Sequence, residues 1–275
     1  MAVRRGVLFG RGSGQEVDDG YDREAHVLDS MGVPWVEVDL EEVLDGGGSE
    51  ALRHLPRSRG WSWLYRGWLL NPEDVTTLWE AVLDRGDRLV VQPSEVAAAA
   101  VLPEWAPVLG GLTPSVLGPP PWFVRDHLKS ARQWWARAAF VPAGADREAF
   151  SRVCAGLRSF MEGRFYGGFV VRRFVDLAPL PFVAQGHPVF DEHRVIYWRG
   201  RPIGWAPYHD VDDVEPLERV PFPDLGRRVA SPFFVADLGR LADGGWTVIE
   251  LNDGGSSRFP DQLDPWEVYG RIFPG

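Results

Sequence analysis

Oxygen-bearing side chains cluster near the C-terminal end of the sequence. Asp237 ends one apolar run, residues 243–245 form a glycine-rich turn, and Glu250, Asn252 and Asp253 close the next run. The turn predicts a hairpin. Because side chains alternate between faces along a strand, we expect Glu250 and Asn252 to share a face and Asp237 to lie across from them.

This pattern suits a hard cation. Mg²⁺ prefers carboxylate and amide oxygens, completed by phosphate oxygens and water. The alternative is an ordinary hairpin with polar ends, but acidic groups within an apolar strand are costly unless they are paired or bind a metal. We therefore expect Asp237, Glu250 and Asn252 to bind magnesium. Gly254 and Gly255 would let the backbone approach a phosphate.

Lys129 is the only lysine among the 29 lysine and arginine residues. Lysine presents a compact, mobile ammonium, whereas arginine presents a planar fork, so a site built on a point charge cannot exchange one for the other. A lysine retained by chance is the alternative. We take Lys129 as a candidate site residue.

The elements that must position these groups follow an α/β pattern. An apolar segment at residues 6–9 precedes glycines at positions 10, 12 and 14, a helical stretch at 21–31 and a strand at 34–40. This order predicts a parallel α/β unit. The glycine spacing is GxGxG and not the GxGxxG of dinucleotide-binding loops, which favours a plain turn and disfavours a nicotinamide oxidoreductase.

Further elements extend this pattern. Residues 71–85 predict a helix and 88–92 a strand, and the Gly/Pro-rich residues 109–121 predict a connection with a domain boundary near residue 112. Beyond the connection, strand or helix patterns are found at 122–125 (strand), 147–162 (helix), 169–177 (strand) and 193–198 (strand).

Composition excludes several classes of protein. The net charge of −10 argues against general nucleic-acid binding, and no apolar run approaches the roughly 20 residues of a membrane helix. A single cysteine, Cys154, excludes an internal disulfide framework. We expect a cytoplasmic enzyme.

The hairpin and several upstream motifs resemble ATP-grasp enzymes, and more narrowly the ATP-grasp clade named for two arginines and a lysine. The resemblance touches nearly the whole chain after about residue 15. The resemblance rests on the order in which the motifs follow one another along the chain. Besides the hairpin, the motifs are Tyr65-Arg66-Gly67-Trp68, Leu102-Pro103-Glu104-Trp105, Thr113-Pro114, residues 122–130, residues 169–177 and Glu192-His193-Arg194-Val195.

The resemblance implies an α/β (α+β) fold. Residues 1–112 would form a Rossmann-like pre-ATP-grasp domain. Residues 113–275 would form an ATP-grasp domain with lobes at about 113–167 and 168–275. The cofactors implied are ATP and Mg²⁺.

The resemblance also implies roles for individual residues. Lys129 and Arg125 would bind the ATP phosphates, and Arg194 would contact the transferred phosphate, so Lys129 and Arg194 are the catalytic candidates. The strand at 169–177 would line the adenine slot, with Val171, Arg172, Arg173 and Phe174 as cofactor contacts. Candidate substrate contacts are Arg66, Glu192 and Asp253, although Arg66 could equally be an interface arginine.

Two positions depart from the family pattern. The family usually carries lysine where Arg125 stands and glutamate where Arg173 follows Arg172. Arginine can replace lysine as a phosphate ligand at some cost in geometry, and the charge reversal at Arg173 could favour an anionic substrate.

The function implied is a carboxylate–amine (or carboxylate–thiol) ligase that acts through an acyl-phosphate on small-molecule or peptide substrates. The alternative is an ATP-binding regulatory or accessory module without ligase activity. We expect no nucleic-acid and no membrane partner.

Overall fold

The computed structural model describes residues 4–12, 21–184, 187–210 and 214–274. Its N-terminal part is a parallel sheet of four strands in the order β2-β1-β3-β4. The strands are β1 (Arg4–Arg11), β2 (Trp35–Asp39), β3 (Trp61–Arg66) and β4 (Arg88–Leu89). The helices of this part are α1 (Asp22–Met31), α2 (Leu40–Glu42), α3 (Gly48–Ala51), α4 (Pro72–Asp84), α5 (Pro93–Ala100) and α6 (Leu102–Leu109).

Local sequence explains where α4 begins. The side-chain oxygen of Asn71 accepts a hydrogen bond from the backbone N–H of Asp74 at 2.9 Å, and Pro72 occupies the first turn, where a missing N–H costs nothing. Val75, Leu78 and Val82 form the buried face. The helix start predicted at residue 71 is confirmed.

A small antiparallel sheet follows, in the order β6-β5-β7. Its elements are β5 (Trp122–Arg125), β6 (Phe140–Val141), α7 (Arg147–Met161) and β7 (Val170–Arg173). Val153, Leu157 and Met161 of α7 pack with Val124 of β5 in one apolar cluster. This unit therefore has a core of its own.

The C-terminal part is an antiparallel sheet in the order β11-β10-β12-β13, preceded by the hairpin β8-β9. Its elements are β8 (Pro179–Ala184), β9 (His187–Phe190), β10 (Glu192–Trp198), β11 (Arg201–Pro207), β12 (Phe233–Arg240), β13 (Trp246–Asp253) and α8 (Pro265–Ile272). Short 3₁₀ or π turns occur at Val43–Gly47, Gly110–Leu112, Arg132–Trp134, Trp135–Ala139, Glu162–Arg164 and Pro223–Arg227.

The N-terminal and C-terminal sheets share a hydrophobic core. Val7 and Leu64 of the parallel sheet belong to the same buried cluster as Ile196, Phe233 and Tyr269. The parallel sheet is thereby held against the antiparallel sheet that carries the predicted hairpin. The division of the chain near residue 112 stays a prediction.

The mixed α/β architecture and the hairpin are confirmed, and one local prediction is wrong. Gly10 does not lie in a turn, because β1 continues through Arg11; Gly14 lies outside the described residues. A side chain at Gly10 would collide with Leu40 and Tyr65, so glycine is required there for packing. In the described ranges, no helix combines the length and apolar character needed to cross a membrane.

Candidate active site

Three charged residues form one row across the C-terminal sheet. Arg194 of β10 pairs in register with Asp237 of β12, and Asp237 pairs with Glu250 of β13. Directly paired residues of antiparallel strands present their side chains on the same face. Asn252 is two residues beyond Glu250 and so shares that face. The predicted positions of Asp237 and Glu250 across the hairpin are confirmed.

Each of the three predicted magnesium ligands contacts a positively charged side chain that is predicted to bind a phosphate. Arg194 binds Asp237 through two hydrogen bonds, from Nε to Oδ1 at 2.8 Å and from Nη2 to Oδ2 at 2.9 Å. Nη2 of Arg125 lies 2.8 Å from Oε1 of Glu250. Nζ of Lys129 donates to Oδ1 of Asn252 at 2.6 Å. The three pairs therefore lie where the small sheet β6-β5-β7 meets one face of the C-terminal sheet.

A buried aspartate fixes the loop that carries Lys129. Oδ1 of Asp126 accepts the backbone N–H groups of Leu128 at 2.7 Å and of Lys129 at 2.6 Å, and Oδ2 accepts that of Tyr166 at 3.1 Å. Arg125 adds a hydrogen bond from Nη2 to the carbonyl of Leu128 at 2.5 Å. The position of the Lys129 side chain is therefore set by its own loop.

The charges of the site act on one another. Burial alone raises the pKa of Glu250, but the positive charges of Arg125, Lys129 and Arg132 outweigh this and bring the pKa to about 2. Burial, with Arg125 and Arg194 nearby, lowers the pKa of Lys129 below its ordinary value despite the attraction of Glu250. The site thus holds several cations close together, which suits a polyanionic ligand.

The oxygen ligands fit a magnesium ion by their chemistry. Among the residues that the structure describes, no group of three or more His, Cys, Asp or Glu side chains could hold a metal alone. Two carboxylates and an amide oxygen, at Asp237, Glu250 and Asn252, leave room for phosphate oxygens and water to complete a hard-cation shell. This donor set does not suit soft metals.

An apolar pocket with polar rims lies beside the charged row, after the end of β7. Phe174 lines it together with Phe123, Trp135 and Ile249, and Arg173 and Glu192 also border it. Three of the four residues predicted as cofactor contacts on this segment, Arg172, Arg173 and Phe174, therefore contribute to the wall of this pocket.

Arg172 makes further contacts, and Val171 lies elsewhere. Arg172 also borders the pocket, but its guanidinium donates to the carbonyl of Ile249 and to Oγ1 of Thr113, both at 2.6 Å, and lies over the ring of Trp105. Burial and the charge of Arg125 lower the pKa of Arg172 to about 9. Arg172 thus braces β7 against β13. Val171 lines a separate cavity beside Leu117.

Arg66, a candidate substrate contact, is fully buried. Its Nε and Nη2 bind the carboxylate of Glu24 at 2.8 and 2.5 Å, and its Nη1 donates to the carbonyls of Gly254 and Ser257. The side chain ties α1 to the loop after β13. This geometry gives Arg66 a positioning role for that loop.

The remaining substrate candidates are buried as well. Arg132 donates from Nη1 to both carboxylate oxygens of Glu192, at 3.2 and 3.1 Å, yet burial keeps the pKa of Glu192 above its ordinary value. Oδ2 of Asp253 accepts the N–H of Ser256 at 3.0 Å, and burial raises the pKa of Asp253 to about 6. Glu192 borders the apolar pocket, whereas Asp253 lies next to Gly255 in a separate cavity.

Sequence reasoning missed two residues of the site. The ring of Tyr208 lies 5.2 Å from the guanidinium carbon of Arg132 and 4.7 Å from that of Arg194. Arg132 stands three positions after Lys129, and that spacing was its available signal. Tyr208 directly follows β11, the hairpin partner of β10, so its contact with Arg194 is local, whereas Arg132 comes from a distant part of the chain.

An apolar pocket beside a cluster of cations and oxygen ligands suited to magnesium is typical of a nucleotide-binding protein. The model of the ATP-grasp domain, family 3 of the clade named for two arginines and a lysine, matches residues 116–271. The chain belongs to this ATP-grasp family. A comparison of the sequence with curated proteins found no significant match.

Solved structures show the same fold at low sequence identity. A RimK domain ATP-grasp protein from Sphaerobacter thermophilus is similar with a TM-score of 0.57 and 12% identity, over 98% of this chain and 95% of that chain. D-cycloserine synthetase DcsG gives 0.58 and 12%, over 98% and 100%. The ATP-grasp ligase PsnB, in complex with a minimal precursor, Mg and ADP, gives 0.57 and 13%, over 93% and 91%.

Proposed function

We propose that this chain is an ATP-dependent, magnesium-dependent carboxylate–amine ligase that acts through an acyl-phosphate. The observation that carries the proposal is the convergence of three cation–oxygen pairs, Arg194–Asp237, Arg125–Glu250 and Lys129–Asn252. In each pair, a side chain that could bind a phosphate is bound to an oxygen that could bind a magnesium ion. Binding of magnesium-ATP would exchange these internal partners for phosphate and metal.

The apolar pocket, whose wall includes Phe174 and Ile249, would take the adenine. Lys129 and Arg125 would then face the phosphates, because they lie beside Asn252 and Glu250, the proposed magnesium ligands. Arg194, held by Asp237 and stacked on Tyr208, would reach the phosphate that is transferred. Preorganised cations of this kind stabilise the charge that develops during phosphoryl transfer.

The reaction has two steps. A carboxylate oxygen of the acid attacks the γ-phosphorus of ATP, the bond to the bridging oxygen breaks, and ADP leaves with that electron pair. The amine then attacks the acyl carbon, the bond to the phosphate oxygen breaks, inorganic phosphate leaves and the amine gives up a proton. A cleft that excludes water protects the acyl-phosphate from hydrolysis.

Asp237, Glu250 and Asn252 would hold the magnesium ion. When bound, the ion would neutralise charge on the ATP phosphates. We place the reaction in the cytoplasm, because it consumes ATP. Support for ligation comes from the neighbours of this fold, which include a ligase and a synthetase by name.

A second candidate is an ATP-binding accessory module without ligation. It is favoured by Arg125, which stands where the family usually has lysine and which is engaged with Glu250 and the carbonyl of Leu128. Both candidates predict nucleotide binding, and only the ligase turns ATP over in response to an acid and an amine.

A screen of carboxylate and amine pairs for ADP release, followed by mass spectrometry of the product, tests the proposal. We expect magnesium-dependent ADP release with at least one pair and a product mass equal to acid plus amine minus water. Nucleotide binding without ADP release for any pair would favour the accessory module.

A further inference from the structure

A cavity of about 720 Å³ lies beside Lys129, between the start of α4 and the end of α7. Its volume falls within the range of about 300–1,000 Å³ typical of small-molecule sites. Lys129 is part of its wall, so a molecule in the cavity would lie next to the group proposed to face the ATP phosphates.

The cavity has unlike charges on its wall. The charged residues that line it are Lys129, whose ammonium donates to Asn252, the exposed Arg164, and Asp74 of α4. The carboxylate of Asp74 makes no ion pair with any residue in the described parts of the chain. Burial, reinforced by the neighbouring Glu73, raises the pKa of Asp74 even though a hydrogen bond with Asn71 opposes this. A cation in the cavity would remove that penalty.

The rest of the wall combines apolar side chains with the polar residues Asn71, Ser130 and Gln133. Its apolar side chains include Trp68 and Leu69, and also Phe160 and Met161 at the end of α7. Trp68 is 36% exposed, although a large aromatic side chain gains most when it is covered. An apolar body between these side chains would cover it.

We propose that this cavity binds an apolar amino acid as the carboxylate substrate, with its ammonium toward Asp74, its carboxylate toward Lys129 and its side chain among Trp68, Leu69 and Phe160. The assignment names the substrate class of the ligase proposed above and rests on that function for the step that follows binding. The carboxylate end then lies where the phosphoryl group arrives, and the ammonium end is held away from it.

Calorimetry without nucleotide tests binding separately from catalysis. The probes are L-phenylalanine, L-leucine and L-methionine, each compared with the acid that lacks the amino group, such as 3-phenylpropanoate. We expect the chain to bind at least one amino acid roughly tenfold or more tightly than its deaminated counterpart, because a charge-assisted hydrogen bond is lost in the latter. Asp74→Asn should remove this preference.

Glu73→Gln is the matched control, since it removes the neighbouring first-turn carboxylate, which is exposed and is hydrogen-bonded to Tyr166. It should leave the preference for the amino acid intact. Equal binding of each amino acid and its counterpart, no binding of any of them, or a preference that survives Asp74→Asn would overturn the inference.

A hydroxylamine trap separates this inference from the proposed function. Hydroxylamine converts an acyl-phosphate to a hydroxamate and releases phosphate. Asp74-dependent binding of an amino acid without hydroxamate from any acid would support the site and refute the ligase. Hydroxamate from acids without an amino group, at rates that Asp74→Asn leaves unchanged, would support the ligase and refute the amino-acid site.

Discussion

Arg66 on the parallel sheet and Arg194 on the antiparallel sheet are both paired with a carboxylate, but their settings differ. Arg66 is fully buried between the rings of Tyr21 and Phe259, at 5.0 and 4.3 Å from the guanidinium carbon. Backbone carbonyls take its remaining donors. Arg194 also has a carboxylate partner, Asp237, but it lies close to the other cations Lys129 and Arg125.

This difference distinguishes an arginine that stabilises the fold from one that is available to a ligand. An arginine whose charge and donors are satisfied inside the protein has nothing left to offer a ligand, and its network holds distant segments together. Arginines and a lysine that crowd together on one face repel one another and gain when a polyanion enters. The two settings therefore predict different effects of substitution. Replacing Arg66 should lower the stability of the fold, whereas replacing a residue of the charged site should lower nucleotide binding or turnover.

The largest effect should come from Arg66→Met, which leaves the carboxylate of Glu24 buried without its partner. We expect the free energy of unfolding to fall by about 3–5 kcal/mol, as for other broken buried ion pairs. Urea unfolding followed by fluorescence measures it. Adding Glu24→Gln should recover part of the loss, and a loss below about 1 kcal/mol would mean that the network is not structural.

Lys129→Ala should preserve stability and lower kcat roughly a hundredfold, which corresponds to about 3 kcal/mol of transition-state stabilisation. Lys129→Arg keeps the charge and should also lose much of kcat, because the planar fork cannot take the same position. Steady-state kinetics with the acid–amine pair found by screening provide the measurement. Full activity of either variant would refute a catalytic role for Lys129.

Glu250→Gln keeps the shape of the side chain and removes one charge from the proposed magnesium site. We expect ATP affinity in the presence of magnesium to fall at least roughly tenfold, since even the outer partners of metal ligands matter by that much. Affinity without the metal should change little. Calorimetry of ATP binding with and without magnesium measures both, and an equal change under the two conditions would contradict the metal assignment.

The smallest effect should come from Arg173→Glu, because Arg173 is exposed at the border of the apolar pocket. We expect the KM of ATP to rise about two- to fivefold and that of the acid to stay unchanged. The charge reversal at this position first suggested an anionic substrate. A larger change in the KM of the acid than in that of ATP would restore that interpretation.

The sequence predicted the hairpin and the relative positions of its polar residues better than it predicted the helices of the N-terminal part. The hairpin and the facing positions of Asp237 and Glu250 followed from local rules, the turn signal and strand alternation. Helices α5 and α6 were missed, although Ala-rich residues and Glu95 were available as signals; α6 also contains a proline, Pro107.

Contacts over long distances in the chain could not be predicted. Arg66 meets Glu24, and Glu24 in turn accepts the hydroxyl of Tyr269, which is 245 positions away. Such contacts arise only when α1, β3 and α8 have packed together, so a single sequence carries no local pattern for them. For the same reason, the aromatic residues around Arg66 in the sequence could not decide whether Arg66 contacts a substrate or lies at an interface.

The central claim, that Lys129 faces the phosphates of magnesium-ATP, is most directly tested by amine labelling. Lys129 is the only lysine of the chain, so a lysine-directed reagent reports on it and on the terminal α-amine, which serves as the internal reference. Mass spectrometry would quantify both labels. We predict that saturating magnesium-ATP protects Lys129 and leaves the α-amine unchanged, whereas magnesium alone protects neither; unchanged labelling of Lys129 under saturating magnesium-ATP would contradict the account.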